Sequence, residues 1–118
     1  MNQEIHRHHT GPRMSKIVEH GGLIYLCGQT AGGANITSIE GQTNEALARV
    51  DSLLAEVGSH RGRILSVTVH LKSMADFSKM NDCWENWLIG DAAPARTTVQ
   101  AALATDSLLV EFSVIAAA

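Results

Sequence analysis

A strict alternation of apolar and polar side chains over residues 64–71 limits the possible folds more than any other part of this sequence. An alternation with a period of two residues is typical of a β-strand that has one face on a hydrophobic core. The other face is polar without being strongly charged, and it meets water or another subunit. The predicted core side carries Leu65, Val67, Val69 and Leu71, and the other side carries Ser66, Thr68 and His70.

Two short β-type runs, residues 16–19 and 23–27, come before this strand. They are joined by His20, Gly21 and Gly22, and glycine readily adopts the positive φ angles that a tight hairpin turn requires. The sequence therefore predicts a β-hairpin near the N-terminus.

Two amphipathic segments predict helices. The first covers residues 39–57, where apolar side chains recur on one 3.6-residue stripe. Thr37 and Glu40 have the spacing of a capping box at its start, and Gly58 follows where a left-handed C-cap is common. The second begins near Ser73 and ends before Gly90.

Two further strands, residues 97–102 and 108–115, complete the order β-β-α-β-α-β-β. This order predicts an α+β fold, with a single sheet and both helices on one of its faces. No linker or internal repeat divides residues 1–118, so we expect a single domain. The small, mildly polar side chains of the uncovered sheet face suit a symmetric oligomer better than open solvent.

Composition excludes several classes of protein. The chain of 118 residues has a formal net charge of −3 and 45% apolar residues, whereas nucleic-acid binders usually show a basic footprint. Its apolar stretches are shorter than the roughly 20 residues that cross a bilayer, and its first ten residues are too polar for a signal peptide. We therefore expect a cytoplasmic protein without nucleic-acid or membrane partners, in which Cys27 and Cys83 are reduced thiols.

Histidines crowd the N-terminus at His6, His8 and His9. Such a tract can bind metal, but these residues have no carboxylate or cysteine ligand beside them in the sequence. We expect solvated side chains and no metal site.

Two charged residues near the C-terminus indicate chemistry. Arg96 follows Pro94 at the start of one strand, and Glu111 interrupts the apolar final strand. A fixed cation beside an acid on the adjacent strand could hold a small carboxylate and move protons next to it. The two side chains could equally form a structural salt bridge.

The order of several short motifs resembles the Rid family, also called the YjgF or L-PSP family. The resemblance runs from about Gly11 to Ala117, and it implies a chorismate-mutase-like fold and a homotrimer with sites in the clefts between subunits. It also implies a cofactor-independent deaminase that hydrolyses enamines and imines such as 2-aminoacrylate to 2-keto acids and ammonia. The matching motifs are Gly11-Pro12, Ile24 to Gln29, Met80-Asn81, Pro94 to Thr97 and Val110 to Ala116.

The same resemblance assigns roles to individual residues. Arg96 matches the arginine that binds the substrate carboxylate, and Glu111 matches the acid that positions the attacking water. Thr98 stands where deaminating members often have cysteine. The remaining matches to substrate contacts are Cys27, Gly28 and Asn81. Cys27 could instead be a small core side chain, and Asn81 could instead cap its helix or form a hydrogen bond to the helix backbone.

Two features depart from the family pattern. Arg13 replaces a tyrosine over the cleft, and the segment 30–42 is several residues shorter than in archetypal members. Arg13 is either a second anion contact, which would favour a substrate with two carboxylates, or a solvated surface residue. The alternative function is a non-catalytic trimer that binds keto acids or other small carboxylates. A ribonuclease has little support, because the net charge is negative.

Overall fold

The computed structural model describes residues 4–118 and contains six strands and two α-helices around one core. The elements are β1 (His6–Thr10), β2 (Ser15–His20), β3 (Leu23–Leu26), α1 (Ile39–Glu56), β4 (Ile64–Leu71), α2 (Phe77–Trp87), β5 (Ala95–Gln100) and β6 (Val110–Ala117). Single 3₁₀ turns, Arg61–Arg63 and Met74–Asp76, precede β4 and α2. The predicted α+β class, with two helices packed on a single sheet, is confirmed.

The sheet has the strand order β1-β2-β3-β6-β4-β5. All neighbours are antiparallel except β4 and β5, which are parallel because α2 carries the chain back between them. The last strand is therefore central, while β5, which carries Arg96, is an edge strand.

The first strand, β1, was not predicted. Its five residues are all polar and mostly exposed, so no hydrophobic alternation marks them. It pairs with β2 at the other edge of the sheet. The expectation of purely solvated histidines needs correction: His8 Nε2 lies 2.6 Å from a carboxylate oxygen of Glu19, and His9 Nε2 lies 2.6 Å from one of Glu56 on α1. Across residues 4–118, no group of three or more His, Cys, Asp or Glu side chains could hold a metal ion.

The predicted hairpin and both helices are present. Gly21 and Gly22 have φ angles of 61° and 79°, which permits the two-residue turn between β2 and β3. The start of α1 differs by one residue from the capping prediction, because Ser38 rather than Thr37 is the N-cap and accepts a 3.0 Å hydrogen bond from the Gly41 amide. Gly58 follows α1 with φ 75°, as predicted.

The predicted alternation of buried and exposed side chains does not hold at the first two residues of β4. A register irregularity between Ile64 and Ser66 places Ile64 in the core at 6% exposure and leaves Leu65 47% exposed. A bulge of this kind adds one residue to a strand and reverses the facing of the residues before it. From Val67 to Leu71 the alternation follows the prediction.

The two helices cover one side of the sheet, and Phe112 of β6 lies fully buried beneath them. The indole of Trp84 stacks on the Phe112 ring with centroids 6.0 Å apart. We call the uncovered side the open face. It carries Tyr25, Ser66, Thr68, His70, Val99, Glu111, Ser113 and Ile115.

The open face is not a fully polar surface. Tyr25 and Val99 are 41% and 40% exposed, and Ile115 lies beside Tyr25 on the central strand. No helix in the described part of the chain is long and apolar enough to cross a membrane.

Candidate functional site

Arg96 lies on the helix side of the sheet at the edge strand β5. Its neighbour on β4 is the core residue Val67, and its guanidinium carbon lies 5.4 Å from the ring centre of Trp84 and 5.8 Å from that of Phe77. Two aromatic faces on α2 therefore hold the cation by cation–π contacts.

The guanidinium has no acidic partner. The arginine ion pairs and side-chain hydrogen bonds of residues 4–118 belong to Arg49, Arg61 and Arg63, and Arg96 has none. Partial burial lowers the pKa of Arg96 from its usual value, and Glu85 opposes this only in part. An arginine with five N–H donors and no protein acceptor can bind a planar anion through two hydrogen bonds.

Two other predicted contacts lie on the same side as Arg96. Thr98 is two residues along β5, so it shares the face of Arg96, and Asn81 is one helical turn from both Phe77 and Trp84. Within residues 4–118, the buried Thr98 Oγ1 and Asn81 Oδ1 have no hydrogen-bond partner. Because buried polar atoms are rarely left unpaired, this cluster has the hydrogen-bonding character of a ligand site. We call Arg96, Thr98 and Asn81 the arginine half-site.

Glu111 lies in a different place, on the open face of β6. Its carboxylate packs over Gly28: a Cβ added to this glycine would overlap Oε2 of Glu111 and lie 2.7 Å from Cδ. The segment that follows β3 is fixed there by paired backbone hydrogen bonds between Gln29 and Phe112, 2.8 and 2.9 Å long. Glycine at position 28 therefore makes room for the acid. We call Glu111, Gly28 and Cys27 the glutamate half-site.

The sequence placed His70 on the uncovered sheet face, as an interface residue and not a catalytic one, but it did not pair His70 with Glu111. The pairing of β4 with β6 places His70 directly opposite Glu111 on the open face, and the buried Nδ1 atom of His70 has no partner among the described residues. The strand order was needed to find this neighbour, because no local sequence signal links positions 70 and 111.

The prediction that Arg96 and Glu111 occupy adjacent strands is wrong. Strand β4 lies between them, with Val67 opposite Arg96 and His70 opposite Glu111. Moreover, the two side chains project from opposite faces of the sheet. Within residues 4–118 of one protomer they form no salt bridge, so a structural salt bridge inside a single chain is excluded.

Cys27 belongs to the glutamate half-site, and Arg13 lies in a turn next to a residue that lines a cavity there. Cys27 is half-buried, and its Sγ accepts a 3.3 Å hydrogen bond from Gln29 Nε2. Arg13 is exposed in the turn between β1 and β2, next to Met14, which lines a cavity together with Cys27 and Gly28. Cys27 and Cys83 are both free thiols, as predicted, and burial together with Glu40 and Asp82 raises the pKa of Cys83.

Similar proteins share the whole length of this fold. Residues 5–118 match the family described as endoribonuclease L-PSP. A RutC family protein from Haemophilus influenzae is 35% identical over 104 residues, which are 88% of this chain and 90% of that protein. The RutC family protein YoaB from Escherichia coli is 35% identical over 105 residues, or 89% and 90% of the two chains.

Solved structures agree with this match. A YjgF family member from Neisseria meningitidis superposes with a TM-score of 0.93 at 35% identity, covering 97% of this chain and 94% of the other. A Rid family protein of unknown function from Yersinia pestis superposes with a TM-score of 0.85 at 27% identity, covering 92% and 90%. The chain therefore belongs to the Rid family, which is also known as the YjgF or L-PSP family.

Proposed function

We propose that this protein is a cofactor-independent deaminase that hydrolyses 2-aminoacrylate-like enamines and their imine tautomers to 2-keto acids and ammonia. Substrates of the 2-iminopropanoate and 2-iminobutanoate type carry one carboxylate beside an electrophilic carbon. The reaction would take place in clefts between the subunits of a homotrimer.

One observation supports this proposal most directly: Arg96 is a partly buried guanidinium, in cation–π contact with Phe77 and Trp84, without an acidic partner in the described chain. A partly buried guanidinium without an ion-pair partner keeps its N–H donors available to an anionic ligand. A 2-imino carboxylate offers the two oxygens that a guanidinium binds best.

The location of the two half-sites supports a cleft between protomers. Arg96 lies at the β5 edge on the helix side, while Glu111 lies on the open face, so one subunit alone cannot place both groups on a small substrate. An edge strand together with an open face of small polar and apolar side chains gives a surface on which a second protomer can pack. In such an assembly, the arginine half-site of one protomer would face the glutamate half-site of its neighbour.

The reaction needs few catalytic groups from the protein. The imine carbon is already electrophilic, so the oxygen of a water molecule adds to it while the C=N π electrons become the nitrogen lone pair. Glu111 would accept a proton from this water and pass it to the nitrogen, which gives a carbinolamine. Glu111 would then move the hydroxyl proton to the nitrogen, the C–N bond would break to release ammonia, and the oxygen lone pair would form the C=O bond of the keto acid. Holding the carboxylate and the water in the right orientation supplies much of the rate.

The alternative is a trimer that binds keto acids or other small carboxylates without catalysis. Arg96 serves both functions equally, whereas Glu111 and the water that it positions matter only for hydrolysis. The matching family is described as an endoribonuclease, but a formal net charge of −3 does not supply the basic surface that RNA binding requires.

An assay that generates 2-aminoacrylate in situ with a serine dehydratase tests the proposal. Keto-acid release is followed with wild type, Arg96→Ala, Glu111→Gln and the control Arg63→Ala, which removes an exposed arginine. Wild type and Arg63→Ala should accelerate release, Arg96→Ala should lose both rate and keto-acid binding, and Glu111→Gln should lose about 100-fold in rate while still binding keto acids. If wild type binds keto acids through Arg96 without any acceleration, the binding function replaces the catalytic one.

A further inference from the structure

A cavity of about 410 Å³ adjoins the glutamate half-site. It opens between Met14 and Lys16 at the start of β2, the segment 27–30 that follows β3, and Arg49 on α1. Because Cys27 and Gly28 belong to both, a substrate at Gly28 could extend into this space. At about 30 Å³ per water molecule, the cavity exceeds what the methyl or methylene group of a three-carbon imine would fill.

The charge of this cavity is positive in a chain whose net charge is negative. Two cations, Lys16 and Arg49, line it, and no carboxylate lines it. Arg49 is already engaged, since its Nε donates to Glu45 at 2.8 Å and its Nη1 donates to the Thr30 carbonyl at 2.9 Å. Glu45 thus offsets the charge of Arg49.

Lys16 is the cation that remains available. Among the described residues, the lysine whose ammonium group donates a hydrogen bond to the protein is Lys72, and Lys16 forms neither an ion pair nor a side-chain hydrogen bond. Arg13, exposed three residues before Lys16, is not among the residues that line the cavity. Of the two cations that line the cavity, Lys16 is therefore the one without a protein partner for its charge.

We propose that this cavity is a subsite for a second anionic group of the substrate, with Lys16 as its recognition residue. The preferred imines would then be those whose side chain ends in a carboxylate, such as the imines of dicarboxylic 2-amino acids. This inference rests on the proposed function for the position of the first carboxylate at Arg96. Lys16 is a specificity residue and takes no part in the hydrolysis.

Binding of two keto acids of equal shape, measured by titration calorimetry, tests the subsite separately from catalysis. The first is 2-oxoglutarate, and the second is 5-methyl-2-oxohexanoate, in which an isopropyl group replaces the distal carboxylate. Wild type should bind 2-oxoglutarate about fivefold more tightly than 5-methyl-2-oxohexanoate, as expected for one partly solvated charge pair. Added salt should reduce this preference.

Three variants locate the effect. Lys16→Gln should remove the preference by weakening 2-oxoglutarate alone, and Lys79→Gln, a control at an exposed lysine on α2, should retain it. Arg96→Ala should weaken both ligands. Equal affinity of wild type for the two keto acids, or an undiminished preference in Lys16→Gln, would overturn the subsite.

Imine hydrolysis is then measured in parallel with 2-iminoglutarate, generated from glutamate by an amino-acid oxidase. Selective 2-oxoglutarate binding that depends on Lys16, with no hydrolysis of any imine, would refute the proposed reaction and leave the subsite in place. Hydrolysis of monocarboxylic imines without any preference for 2-oxoglutarate would refute the subsite and leave the reaction in place.

Discussion

Arg96 is held in position by aromatic rings and not by a carboxylate. The N–H groups of the guanidinium stay available for hydrogen bonds, because Phe77 and Trp84 contact the cation through their rings and do not accept these N–H groups. A carboxylate partner would have compensated the charge and competed with an incoming anion. Such an environment favours arginine specifically, since a planar guanidinium stacks on a ring and an ammonium group does not.

Replacing Arg96 with lysine should therefore weaken keto-acid binding and make it pH-dependent. At pH 7 we expect about a tenfold loss of affinity, because the two-point contact becomes a single one. Partial burial lowers the pKa of Arg96, and it should lower that of a lysine there too, so the ammonium group loses its proton as the pH rises toward 10. Titrations with 2-oxobutanoate between pH 7 and 10 should show declining affinity for Arg96→Lys and constant affinity for wild type. Parallel curves for the two proteins would contradict this account.

Gly28 should be needed for the position of Glu111 more than for stability. A methyl group at position 28 would overlap the end of the Glu111 side chain, which can rotate away without moving the backbone. We expect Gly28→Ala to lower kcat on the order of 100-fold, the effect of misplacing a reacting group by about 1 Å, while the melting temperature changes little. Gly11→Ala is the control, since its added Cβ comes no closer than 3.9 Å to any atom. A fully active Gly28→Ala variant would show that Glu111 needs no fixed position.

Helix α2 contributes both to the core and to the arginine half-site, and Phe77 and Trp84 differ in how much they contribute to each. Trp84 is 5% exposed and stacks on Phe112, whereas Phe77 is 36% exposed, yet both contact Arg96. Trp84→Leu should cost about 3 kcal/mol of unfolding free energy, as large-to-small core substitutions do. Phe77→Leu should cost about 0.5 kcal/mol but weaken 2-oxobutanoate binding about threefold, through the lost cation–π contact.

Urea unfolding and calorimetric titration of the same preparations separate the two effects. Ser78→Ala, at an exposed position next to Phe77, serves as the control and should change neither quantity. If Phe77→Leu bound 2-oxobutanoate like wild type, the ring would not support the arginine.

At the scale of elements, the sequence predicted what local patterns encode. The hairpin, α1, α2 and the strands β2 to β6 follow from periodicity and from glycine positions such as 21, 22 and 58. Strand β1 has no such pattern, because a polar edge strand exposes both faces and is held by pairing with β2. The bulge at Leu65 was also unpredictable, since one inserted residue changes the facing of a side chain without changing the composition.

The sequence predicted candidate site residues but not how they are arranged, and their roles stay predictions. The family resemblance identified Arg96, Glu111 and Gly28, yet their separation depends on β4 lying between β5 and β6, and strand order is a property of long-range pairing. Gln42 illustrates the same limit within the core: its buried amide bonds Ile36 and Ser107 carbonyls and the Leu109 amide, 67 positions away. No local pattern distinguishes this glutamine from a solvated one.

At the scale of the whole molecule, the separation of the half-sites makes a strong prediction about mixtures of inactive variants. Arg96→Ala protomers retain an intact glutamate half-site, and Glu111→Gln protomers retain an intact arginine half-site. If each site takes one half from each of two neighbours in a ring, every mixed trimer contains one complete site. Equal mixing makes about three quarters of the trimers mixed, and each mixed trimer has one complete site where a wild-type trimer has three. About a quarter of wild-type imine hydrolysis should therefore return.

The measurement is keto-acid release after the two variants are unfolded and refolded together, compared with each variant refolded alone and with the two mixed after separate refolding. Activity should return only in the jointly refolded sample, because folded trimers exchange protomers slowly when their interface is large. A site built within one protomer would give no recovery in any sample, because every copy would still lack one of its two groups. Recovery that tracks the fraction of mixed trimers would therefore place the reaction between subunits, where the strand order separates Arg96 and Glu111 within each chain.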